Sequence, residues 1–154
     1  MEGLTPVIKI QHEDFSLEQE TNLLRSTGNN VGAIVTFSGL VRDMHESETV
    51  TGLFLEHYPG MTEQSLLEIT NQALARWPLL GVTIIHRIGE LQAGEQIVFV
   101  GVSSEHRSAA FSACEFLMDY LKTQAPFWKK SLQSNGEHWV EAKETDLVSS
   151  KRWQ

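Results

Sequence analysis

Lys122 and Lys129 bracket the run Thr123-Gln124-Ala125-Pro126-Phe127-Trp128, with Lys130 directly after it and His106-Arg107 one helix-length upstream. The chain as a whole is acidic, with 12 Lys plus Arg against 20 Asp plus Glu and a formal net charge of −8. Between positions 106 and 130, however, Lys122, Lys129, Lys130, Arg107 and His106 face only Glu115 and Asp119. Neighbouring ammonium groups disfavour one another's charge, and burial beside Phe127 and Trp128 would act in the same direction. A lysine tuned in this way can exchange protons or attack a carbonyl. The same run also suits a solvated lysine at a helix C-terminus, favoured by the helix dipole, followed by two exposed strand lysines. On pattern alone both readings stay open.

The elements that must position these cations follow from the apolar spacing. Ala110, Cys114, Leu117, Met118 and Leu121 form a stripe that predicts a helix from about Glu105 to Gln124, stopped by Pro126. His106 and Arg107 then stand at its N-terminal end, where free amides and the dipole favour phosphate or carboxylate. At 1.5 Å rise per residue, Lys122 lies roughly 24 Å from His106, so one helix cannot gather both into a small pocket. Either the chain reverses at Pro126 and returns Lys129 and Lys130, or a second subunit completes the site.

Upstream, Thr5 to Gln11 alternates as an edge strand would, and Ser16 is placed to cap a short helix to about Ser26. Gly32 to Val41 reads as a buried strand and Thr49 to Tyr58 as another, with a polar loop over 43–48 between them. Thr62 is the expected N-cap of a helix carried by Leu66, Ile69, Ala73 and Trp77 and ended by Pro78. Val82 to Ile88 and Gln96 to Val102 read as strands joined through a turn at Gly89 to Gly94. Phe127 to Leu132 and His138 to Ala142 are late strands around Ser134-Asn135-Gly136, and 148–154 is expected to fray. Hairpin-like pairs at 32–58 and 82–102 do not suit a doubly wound parallel sheet. They predict an α+β domain with a mixed, mainly antiparallel sheet and flanking helices.

Length and composition bound the function. The 154 residues suit one domain, taken as 1–146, with 147–154 as a C-terminal tail. Net negative charge argues against general nucleic-acid or membrane-surface binding, while leaving room for a small anion in a local basic pocket. One cysteine, Cys114, allows no internal disulfide and no multi-cysteine metal site, and a reducing, cytoplasmic setting is expected. Cys114 falls on the apolar stripe and reads as a small core residue. The histidines His12, His45, His57, His86 and His138 lack metal-ligand spacing, so neither a metal nor a cofactor is expected. Met1 to Ile10 has no signal-peptide pattern, and no apolar run reaches spanning length. Arg42, closing a strand before the polar loop, is equally a substrate clamp or a strand-end arginine. The glycines of Gly89-Glu90-Leu91-Gln92-Ala93-Gly94 join two strands and open no helix, so they form no phosphate-binding loop.

Several ordered motifs carry a resemblance over roughly residues 30–145. They are Gly32-Ala33-Ile34-Val35-Thr36-Phe37-Ser38-Gly39 with Arg42, Leu55-Glu56-His57-Tyr58-Pro59-Gly60-Met61-Thr62, Ile85-His86-Arg87-Ile88-Gly89, Ser104-Glu105-His106-Arg107, and Met118-Asp119-Tyr120-Leu121-Lys122 continuing to Lys129. In these the chain resembles the large, catalytic subunit of molybdopterin synthase. The resemblance implies an α/β-hammerhead fold and a homodimer within a heterotetramer. It further implies a small ubiquitin-like sulfur-carrier subunit whose Gly-Gly thiocarboxylate delivers sulfur, in two transfers, to cyclic pyranopterin monophosphate. Matched by motif, Lys122 and Lys129 are the implied catalytic lysines, and Arg42, His106, Arg107, Lys130, Ser131 and Phe37 the implied substrate contacts. The chain departs from the pattern at Leu40, where a lysine is common, and at Ser131, where a glutamate often follows the basic pair. Two other classes compete with this expectation: a non-catalytic scaffold binding an acidic tail, and a lyase forming a Schiff base through a lysine.

Overall fold

A computed structural model describes residues 5–42, 50–133, 136–140 and 153, with the backbone alone at 50–51, 128–133 and 136–140. Loop 43–48 with His45, the turn residues Ser134 and Asn135, the boundary at 146 and the tail apart from Trp153 lie outside the described residues.

The described elements run β1 (Val7–Gln11), α1 (Leu17–Arg25), β2 (Ala33–Leu40), β3 (Val50–His57), α2 (Met61–Arg76), β4 (Leu79–Arg87), β5 (Gly89–Gln92), β6 (Gln96–Ser104), α3 (Arg107–Thr123), β7 (Phe127–Gln133) and β8 (Gly136–Val140). They form two four-stranded sheets, ordered β1-β4-β6-β2 and β5-β3-β7-β8. Only β1 and β4 pair in parallel; every other described pair is antiparallel. The α+β expectation, mixed and mainly antiparallel, holds.

The near-continuous apolar runs of β4 and β6 follow from cover on both faces of the first sheet. Ile85 and Phe99 pack with Leu24 of α1, with Phe15 and Ile34 alongside. The alternate residues Val82, Ile84, Val98, Val100 and Val102 join Leu66 and Ile69 of α2 and Ala113 and Leu117 of α3 on the opposite face. Each large side chain so buried contributes about 1.5–3 kcal/mol. Ser16 caps α1 as expected, its Oγ accepting from Gln19 N at 3.2 Å.

Four expectations need correction. β2 is an edge strand rather than a buried one, with Phe37 38% and Leu40 53% exposed. Its β-branched and aromatic residues record a preference for extended backbone, which does not reveal position within a sheet. β2 and β3 form no hairpin with each other, because they belong to different sheets. The segment from Gly89 is more than a turn: its first four residues, Gly89–Gln92, are β5, paired to β3. Gly52 permits that pairing, since a Cβ there would meet Leu91 O at 2.2 Å. The N-cap of α2 is Gly60, at φ 84°, and Thr62 is inside the helix and fully buried.

The tail also departs from a frayed end at its one described residue. Trp153 packs edge-on against Trp77 and Phe116, its indole N–H donates to Asp119 of α3, and its carbonyl accepts from Arg76 at 2.9 Å.

Candidate active site

Strand register places the cations. β6 runs from Gln96 to Ser104; Leu40 stands opposite Gln96 and His86 opposite Val98, whereas Ala33 and Leu79 stand opposite Ser104. One end of the first sheet therefore holds the exit of β2 and the end of β4, and the other the start of α3. Arg42 follows β2 at the first end and is exposed; Val41 before it is buried and held to the turn ahead of β6, donating to Glu95 O at 2.9 Å and accepting from Gly94 N at 2.8 Å.

α3 leaves Ser104 and runs back along the sheet. His106 is its N-cap residue, without a side-chain capping bond, and Arg107 its first residue; both are exposed. Lys122 lies in its last turn, exposed to solvent and well placed for the dipole. The helix separates Lys122 from His106 by about 24 Å. Beyond it the chain reverses, with Phe127 N donating to Ala125 O at 2.8 Å, and β7 begins.

This reversal is fastened to three other elements. The Phe127 ring stacks on His86 at the end of β4, with centroids 3.9 Å apart and planes at 16°. Pro126 O accepts from Thr62 Oγ1 of α2 at 3.1 Å. Phe127 stands opposite His57 of β3. The expected return of the chain at Pro126 is thus present, and it puts the start of β7 at the end of the sheet where Lys122 and Arg42 also lie.

On β7, Lys129 stands opposite Leu55, Lys130 opposite Phe54 and Ser131 opposite Leu53. Because successive strand positions alternate, 127, 129 and 131 share one face of the second sheet and 130 belongs to the other. The face of 129 is the one on which Leu55 and Leu91 are buried. Lys129 and Lys130 are therefore not interchangeable members of one pair. Phe37 sits midway along β2, opposite Val100.

Within one chain the cationic candidates divide in two. Arg42, Lys122 and the start of β7 with Lys129 gather at one end, and His106 and Arg107 lie at the other. Sequence reasoning took Thr62 for a cap and missed its bond to Pro126, and it missed the part played by His86; no local pattern reveals what a buried threonine in the first turn of a helix or a histidine on a core strand will meet.

Cys114 is buried on α3, its Sγ 3.8 Å from Val100 O. Burial, helped by the nearby Glu115 charge, pushes its thiol up to about 12. It is a poor nucleophile there. Among the described residues no group of three or more His, Cys, Asp and Glu side chains could hold a metal ion. No helix among them is long and apolar enough to cross a membrane.

The class is thus an α+β protein of two sheets, with cations at both ends of the helix that follows its central strand. The family model described as MoaE protein matches residues 10–124. The chain is 56% identical over 147 residues to the molybdopterin synthase catalytic subunit of Vibrio cholerae, covering 96% of this chain and 97% of that one. The solved structure of the molybdopterin biosynthesis MoaE protein from Burkholderia ambifaria superposes with a TM-score of 0.83 at 46% identity, over 97% of this chain and 98% of that one. Molybdopterin synthase from Staphylococcus aureus gives 0.79 at 32% identity, over 86% and 95%. The chain belongs to the MoaE protein family.

Proposed function

We propose that this chain is the catalytic subunit of a molybdopterin synthase, a sulfurtransferase that converts cyclic pyranopterin monophosphate to molybdopterin. Near full-length identity above one half to a relative of that name carries the reading. A catalytic subunit presupposes a second one, here a small ubiquitin-like carrier whose C-terminal thiocarboxylate supplies the sulfur. The reaction needs no nucleophile from this chain, in keeping with a buried, protonated Cys114.

Both reactants are anions, and converging cations hold them together and stabilise charge that develops at the reacting carbon. Lys122 is assigned to the thiocarboxylate, and Lys129 to proton transfer beside the pterin side chain. Arg42, Lys130, Ser131 and Phe37 contact substrate, and His106 and Arg107 bind its phosphate. Since His106 and Arg107 lie about 24 Å from Lys122 along α3, they serve the lysines of the other subunit in a homodimer, which with two carriers makes a heterotetramer. The domain spans 1–146 and the enzyme works in the cytoplasm.

The test is reconstitution from purified chain, thiocarboxylated carrier and cyclic pyranopterin monophosphate. Molybdopterin is the expected product, and Lys122→Ala and Lys129→Ala are each expected to lower its rate by about 100-fold or more. Full sulfur transfer in both variants sinks the lysine assignment. No product from active reagents leaves a scaffold, and borohydride trapping of substrate on a lysine identifies a Schiff-base lyase instead.

A further inference from the structure

Resting on that reading, we propose that Thr62 is a positioning residue for the lysine pair. Its hydroxyl sets the α3–β7 reversal from which Lys122 and Lys129 extend.

Thr62 lies in the first turn of α2, far in sequence from either lysine, and is fully buried. Its hydroxyl is used in both directions: Oγ1 accepts from Tyr58 N at 3.0 Å and donates to Pro126 O at 3.1 Å. Its own N–H donates to Tyr58 O at 2.9 Å, so Thr62 and Tyr58 close a reciprocal pair across the β3–α2 junction. Gly60 N donates to Glu63 Oε1 at 3.0 Å and fixes the same turn from outside. A rigid junction thus presents one hydroxyl proton to the carbonyl of Pro126, midway between the lysines in sequence.

That carbonyl belongs to the residue where direction changes. The N–H next to it is spent on Ala125 O, and the ring after it on His86. The Thr62 bond fixes the peptide plane between the stack and the helix end, and with it the direction in which β7 departs. A shift there moves Lys129 relative to Lys122 while leaving the register with β3 intact. Displacement of a reacting group by 1 Å costs on the order of 100-fold in rate.

Steady-state sulfur transfer in the reconstituted enzyme tests this with Thr62→Val, which keeps the shape and removes the hydroxyl, and Thr62→Ser, which restores it. Expected is a kcat about 10- to 100-fold lower for Thr62→Val, a KM for the precursor within about two-fold of wild type, and recovery in Thr62→Ser. Amide exchange should show lost protection at Phe127 to Lys129 in Thr62→Val, with β6 unchanged. Should Thr62→Val not fold, Thr62→Cys, a similar volume with a weak donor, is held to the same criteria. A hydroxyl-free variant with wild-type kcat overturns the positioning role alone, as does lost kcat that Thr62→Ser does not recover or that comes without a change at β7. Wild-type enzyme that makes no product overturns the function and this role together.

Discussion

At the level of single residues, the division between reactive and inert groups follows from burial. Cys114 is buried in the apolar core with Val100 O at 3.8 Å from its sulfur, and burial, with the Glu115 charge nearby, holds its thiol at about 12 against an ordinary 9.0. Native enzyme should therefore resist alkylation at pH 8, and unfolding should expose one reactive thiol, as counted by mass after iodoacetamide. The stability linkage has a definite sign. The folded value exceeds the unfolded one, so this group's contribution is complete below pH 9 and is lost as pH rises toward about 12. The stability difference between wild type and Cys114→Ala, measured by urea denaturation, should shrink across that window. A difference that grew would contradict a desolvated thiol. The sequence alone marked Cys114 as core because it fell on the helix stripe, an inference that periodicity supports well. It could not weigh Lys122 against a solvated lysine, since periodicity places a residue on a helix but not what approaches the end of that helix from elsewhere.

Among the elements, the approach of β5 to β3 leaves no room for a side chain at Gly52. A methyl group on Gly52 would collide with the Leu91 carbonyl at 2.2 Å, and the obstacle is backbone, which cannot rotate away. Gly52→Ala should cost about 1–3 kcal/mol, read as a lower denaturation midpoint with unchanged slope. An unchanged midpoint would mean that β5 is not seated as described. Helices proved legible because each announces itself locally: Ser16 before α1, Pro78 after α2, Pro126 after α3. Strands were legible as strands but not as neighbours. Nothing local in Ala33–Leu40 reveals an edge, and nothing in Gly89–Gln92 reveals that it leaves β4 and β6 to join another sheet. Those facts are set by partners distant in sequence. Thr62 illustrates the same limit: a helix-start pattern predicts a cap, while Gly60 at positive φ takes that place and frees the hydroxyl for Pro126.

For the whole molecule, the separation of His106 and Arg107 from Lys122 makes a prediction that single-chain variants cannot test. On the proposed division of the site, Lys122→Ala and Arg107→Ala, each expected to be strongly impaired alone, should regain activity when the two chains are co-expressed and the mixed dimer is isolated. One of its two sites then draws Lys122 from one chain and Arg107 from the other, both intact. Expected is about half the wild-type rate per dimer, within the usual additivity of independent sites. A mixed dimer as inactive as its parents would place both residues in one subunit's pocket. The interlocking of the sheets has a further consequence, for the order in which the chain can fold. β3 is central in its sheet, yet one of its partners, β7, follows α2, three strands and α3 in the chain. The first sheet can assemble as soon as β6 has left the ribosome, whereas β3 must wait for β7 with one hydrogen-bonding edge open. Non-local pairing of this kind is slow, and an open edge invites pairing between nascent chains. The interval between emergence of β6 and of β7 is thus when aggregation threatens this protein most, and when a chaperone that shields a strand edge would serve it best.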